Sequence, residues 1–67
     1  MALLYKDKSG DWVFKHGKHA GETLSSVAEG EKNKGYIRWV FHEAAEDLDD
    51  EAFYALEDAM EQNGIVP

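Results

Sequence analysis

Cysteine is absent, which removes a disulfide framework, a thiolate zinc site and a cysteine nucleophile together. Proline occurs once, and no Pro/Gly/Ser-rich linker, internal repeat or low-complexity tract divides the 67 residues, so the chain reads as one small domain. No apolar run approaches the roughly 20 residues of a membrane-spanning helix. The start, Met1-Ala2-Leu3-Leu4-Tyr5-Lys6, has neither the basic region nor the apolar core of a secretory signal, so an intracellular protein is expected, with no membrane partner. Basic residues are missing from residues 43–67, which carry nine acids; residues 1–42 hold all seven Lys and Arg against five acids. The formal charge of −7 is therefore a property of the second part. It argues against indiscriminate coating of DNA, which depends on Lys and Arg displacing condensed counterions, but leaves room for a local basic patch in the first part. What the chain does have is 43% apolar residues, with two Trp, three Tyr and three Phe. A domain this small hides only about 60% of its unfolded surface, and these side chains supply the core it needs.

The pattern predicts an α+β fold, a small antiparallel sheet followed by two main helices packed on one face. Ala2–Tyr5 and Asp11–His16 have strand composition around the polar turn Lys6–Gly10, giving a first hairpin. Gly17-Lys18 fits a two-residue turn and a second hairpin, with His16 facing His19, Phe14 lying across Gly21 and Trp12 facing Thr23. Ser26 and Glu29 have the spacing of a capping box for a short helix, which the polar stretch Gly30–Gly35 breaks. Tyr36, Ile37, Trp39, Val40, Phe41 and Ala44 recur at three and four residues as the buried stripe of the next helix. On that reading Trp39→Ala costs about 3–5 kcal/mol, and Gly21→Val collides with Phe14. Asp49 then caps a last helix that runs through Gln62 and ends at Gly64, with Phe53, Leu56, Ala59 and Met60 inward.

Two of these motifs carry a resemblance. Phe14-Lys15-His16-Gly17-Lys18-His19-Ala20-Gly21-Glu22-Thr23-Leu24, then Val27-Ala28, then Gly35-Tyr36-Ile37-Arg38-Trp39-Val40, resembles the small C-terminal domain of exodeoxyribonuclease X-like proteins over about residues 12–62. A chain of this length with no nuclease domain attached is similar to the freestanding copies of bacteria and bacteriophages. The resemblance implies a non-catalytic accessory module of nucleic-acid processing, in the cytoplasm of a bacterium or phage-infected host, with DNA or a nucleic-acid-processing protein as partner. The family's metal-holding carboxylates lie in the missing domain, so no nuclease residue carries over. Lys15-His16 lengthens the approach to Gly17, and Ala20 stands where the family commonly has a basic residue.

The nucleic-acid surface this suggests comprises Lys15, Lys18 and His19 at the hairpin tip with Lys32, Lys34 and Arg38 near the following helix. Tyr36 stacks on a splayed base or packs in the core; Arg38 meets phosphate or pairs with an acid of the last helix. The alternative is a protein-interaction module, in which Glu51, Glu57, Asp58 and Glu61 engage a basic host protein or imitate nucleic-acid charge. Both readings assume that the bases gather at one pole and the acids at the other.

No enzyme chemistry is expected. Asp49-Asp50-Glu51 and Glu57-Asp58 fall on an exposed helix and its cap, whereas acid-base catalysis needs carboxylates converging in a cleft. Ser9, Ser25 and Ser26 sit in turns or caps with no partnered His and Asp, and no glycine-rich phosphate loop is present. His16 and His19, facing across a hairpin, would present two imidazoles to one metal, but two ligands do not complete a site, and neither metal nor cofactor is expected. His19 otherwise fixes the turn by a hydrogen bond, and His42 is read as a partly buried packing or capping residue.

Overall fold

A computed structural model describes residues 3–67, so Ala2 of the expected first strand lies outside the described residues. Strands β1 (Leu4–Lys6) and β2 (Trp12–Phe14) pair antiparallel, with Leu4 opposite Phe14 and Lys6 opposite Trp12. The connecting turn is local chemistry: Asp7 Oδ1 accepts from the amides of Ser9 and Asp11, both at 2.9 Å, and Gly10 supplies φ +87°. The architecture is α+β, as the pattern predicts. Helices α1 (Leu24–Glu29), α2 (Lys34–Trp39) and α3 (Asp50–Gln62) follow, with a 3₁₀ turn at Glu31–Asn33 before α2. A π-wound stretch, Val40–Ala44, and a 3₁₀ turn, Ala45–Asp47, continue α2 toward α3. No helix among the described residues is long and apolar enough to cross a membrane.

The second hairpin does not form as expected. Phe14 N–H donates to Glu22 O at 2.9 Å, and Gly21 N–H donates to Phe14 O at 2.9 Å, so two residues stand opposite one. This is a β-bulge that begins on a left-handed glycine, and Gly21 has φ +87°. Residues 15–20 form a loop instead of strand and turn. The Ala20 amide bonds Gly17 O at 3.1 Å and the Glu22 amide bonds His19 O at 3.0 Å. The bulge shifts the register by one, and the residue bridged to Thr23 is Val13, not Trp12. Nothing lies within 4 Å of a Cβ built on Gly21, so Phe14 does not cover it.

Helix α1 starts three residues earlier than the capping box expected on Ser26. Its cap is Thr23, whose hydroxyl accepts from the Ser26 amide at 3.1 Å, so Ser26 is the donor's residue inside the first turn. At α3 the expectation holds: Asp49 Oδ1 accepts from the Ala52 amide at 2.9 Å. Its far end closes as a Schellman motif, with Ile65 N–H donating to Met60 O at 2.9 Å, Gly64 N–H to Glu61 O at 3.3 Å, and Gly64 at φ +67°. The motif folds Ile65 back beside Met60, and both are buried.

The core joins the sheet to every helix: Leu3, Leu4 and Phe14 from the sheet side, Leu24, Val27 and Ala28 from α1, Ile37 and Val40 from the middle helix, and Ala52, Leu56, Met60 and Ile65 from α3 and its tail. On α3 the buried line is Ala52-Leu56-Met60, while Phe53 and Ala59 flank it half-buried. Trp39 is not in the core. It is 50% exposed, because it follows Ile37 by two residues and so lies about 200° around the helix from that buried side chain. Its expected cost on truncation falls accordingly.

Candidate functional site

The displaced tryptophan forms part of an aromatic ledge on the outer side of α2. Tyr36 and Trp39, three residues apart on the helix, stack with ring centroids 5.8 Å apart and 27° between planes. Lys18, from the loop after β2, holds its ammonium 5.4 Å from the Tyr36 ring centroid, a cation-π contact. Beneath, His19 lies 4.6 Å from Tyr36 and 6.1 Å from Phe14, and the Phe14 ring meets Tyr36 edge-on at 5.6 Å. A continuous run of rings therefore leads from the fully buried Phe14 to the exposed Trp39. Burial pushes the Tyr36 phenol above its ordinary range, keeping the hydroxyl neutral. Gly17 is favoured by its φ of +89°, not by space, since a Cβ there would make only ordinary contact with the Tyr36 hydroxyl, at 3.9 Å.

His19 is the buried polar residue of this region, 8% exposed, and neither ring nitrogen has a hydrogen-bond partner. The expected turn-fixing bond from its side chain is therefore absent. The turn is held by the His19 carbonyl, and Nδ1 approaches Glu22 Oε2 only at 3.5 Å. The histidine pair is likewise not formed: His16 is exposed on the loop, His19 points into the rings, and no hairpin sets them opposite each other. His42 is exposed, with its ring edge-on to Phe41 at 5.3 Å, instead of being partly buried. Among the described residues, no cluster of three His, Asp or Glu side chains suits a metal ion.

The six expected cationic positions divide into two groups. Lys15, Lys18 and Lys32 are exposed. Lys34 is half-buried and donates from Nζ to Asn63 O at 2.6 Å, and Arg38 donates from Nε to Val66 O at 2.8 Å. Both reach across to carbonyls that follow α3, and Lys34, at the C-cap Asn63, also complements the negative end of the helix dipole. Arg38 thus meets the backbone of the last segment, not an acid of α3. Arg38 as a residue is exposed.

The acids divide as well. Glu51 is paired with Lys6 at 3.5 Å, an exposed contact of small energetic weight, while Lys6 also stands 5.5 Å over Trp12. Glu57, Asp58 and Glu61 line a groove of about 660 Å³ with Phe41, Tyr54 and residues 64–67. Opposite signs meet at Lys6–Glu51, and Lys34 and Arg38 reach the tail of α3 through backbone carbonyls, so the bases are not gathered at a pole of their own. Trp39 and Tyr54 are the site residues that composition and charge did not single out. A helical wheel centred on the aliphatic residues finds both, because Trp39 lies opposite Ile37 and Tyr54 shares a face with Glu57, Asp58 and Glu61.

No family model matches the chain, and no curated protein and no solved structure matches it.

Proposed function

We propose that the protein is a non-catalytic accessory module of nucleic-acid processing that holds an unpaired base on the Tyr36–Trp39 ledge. The observation that carries this reading is the exposed stack itself. In a domain that depends on its aromatic residues for a core, half of a tryptophan is left to solvent on a second ring, with a lysine ammonium beside it. Every base has a π-face, so such a ledge accepts unpaired strands with little sequence preference, at about 1–3 kcal/mol per stacked base. Lys18, with the exposed Lys15 and Lys32 of neighbouring segments, supplies donors for phosphate oxygens. Duplex DNA offers no free base face to this surface, and the acids of α3 repel its backbone. The resemblance to exodeoxyribonuclease X-like C-terminal domains supports the same direction, since it runs through the loop that brings Lys18 and the helix that brings Tyr36 and Trp39.

The test is titration of labelled single-stranded and duplex oligonucleotides at low and moderate salt. The expected result is binding of single strands in preference to duplex, weakening with salt, and loss of about tenfold or more in affinity for Trp39→Ala. The same variant should melt within about 1 kcal/mol of the parent, because its ring is half in water. Lys18→Ala should reduce both the affinity and the salt slope. Absence of single-strand binding at low salt, or unchanged affinity in Trp39→Ala, overturns the proposal.

A further inference from the structure

We propose that the groove along α3 docks a basic amphipathic segment of a partner protein, independently of the aromatic ledge. Its apolar side is built by the half-buried Phe41 and the exposed Val66 over the buried Met60 and Ile65, and the Schellman turn at Gly64 forms one end. Phe41 is braced by a stacked contact with Phe53 at 5.6 Å, so the floor is packed and not merely exposed. Tyr54 stands on the rim at 65% exposure and Val66 at 69%, large apolar surfaces left in water. Along the same edge run Glu57, Asp58 and Glu61, placed with Tyr54 at spacings of three, four and seven residues. Among the described residues neither Glu57 nor Glu61 makes an ion pair or a side-chain hydrogen bond; Asp58 accepts from Gln62 Nε2 at 2.9 Å.

This combination selects the occupant. An apolar floor beside a row of unneutralised carboxylates is complementary to a segment carrying apolar side chains on one face and Lys or Arg along its flank. From Tyr54 to Glu61 the row spans about 10 Å of helix, two turns, which matches cationic residues repeating at three or four positions on a partner helix. Nucleic acid is repelled by the same carboxylates, and a wholly apolar ligand would leave them beside a desolvated surface. A second copy of this chain cannot fill the groove with its own α3, which carries no base, so a symmetric pairing of the two helices is disfavoured.

The experiment uses the full chain and three short fluorescein-labelled peptides followed by anisotropy. One places Leu and Lys at amphipathic helical spacing, one keeps the Lys residues with every Leu replaced by Ser, and one keeps the Leu residues with every Lys replaced by Glu. The first is expected to bind, and the other two about tenfold or more weakly. Tyr54→Ala and the double variant Glu57→Gln/Glu61→Gln are each expected to weaken binding of the first peptide about tenfold while melting like the parent. Trp39→Ala, by contrast, should leave peptide affinity unchanged, which separates this site from the ledge. Equal binding of the Ser-containing peptide means charge attraction alone and overturns the proposal. Retained affinity in the folded Tyr54→Ala and Glu57→Gln/Glu61→Gln variants overturns it too. So does self-association of the parent chain that Tyr54→Ala abolishes and the first peptide cannot displace, because the occupant is then a second copy.

Discussion

A methyl group added at Gly35 meets open space on the outer side of α2, and the same is true at Gly21, yet the two substitutions should move stability in opposite directions. Gly35 lies inside a helix with ordinary φ, so Gly35→Ala relieves the entropic cost of glycine and is expected to stabilise by about 0.5–1 kcal/mol. Gly21 holds the bulge at φ +87°, and Gly21→Ala is expected to destabilise by about 1–2 kcal/mol. Thermal melting of the pair checks both. A clash with Phe14 plays no part, although the expected pairing of Phe14 with Gly21 is close to the backbone contacts observed. Trp39 shows the same limit of pattern reading. Counting it into a three-and-four repeat with Tyr36 and Val40 places it inward, whereas the aliphatic residues Ile37 and Val40 define the buried direction and leave it outside. Aromatic residues at helical spacing do not by themselves say which way a stripe faces.

Element by element, what was legible depended on whether its signals were local. Helix α3 is readable end to end, since its cap at Asp49 and its stop at Gly64 each involve residues within a few positions. Asp49→Ala should therefore cost about 1 kcal/mol in chemical denaturation, with Asp49→Asn restoring most of it. The first turn is legible for the same reason, through Asp7 and Gly10. The loop at residues 15–20 is not, because its path depends on seating His19 between Phe14 and Tyr36, rings that the sequence separates by 22 residues. Nor is the start of α2, where the polar stretch Gly30–Gly35 winds into a 3₁₀ turn and the first helical residues because Lys34 and Ile37 gain partners across the core. Local propensity favours a break there, and tertiary contact overrides it.

For the molecule as a whole, two of the bases hold the middle helix to the last segment. Lys34 and Arg38 join the middle helix to the carbonyls beyond α3, and Lys6 joins the sheet to its first turn. Lys34→Met, which keeps the aliphatic stem, should lower stability by about 1–2 kcal/mol in urea, whereas Lys18→Met should leave it nearly unchanged. The sequence discloses the acidic bias of its last third but not this use of its bases, since the acceptors are backbone carbonyls that any residue provides. His19 adds a practical consequence. Its imidazole is held against Tyr36 and Phe14, so ring currents displace the resonances of its carbon-bound protons from their free-histidine positions. Those signals form a built-in gauge needing no label: on the proposed reading, a base stacked on Trp39 adds its own ring current beside Tyr36 and shifts them, and Trp39→Ala abolishes the shift.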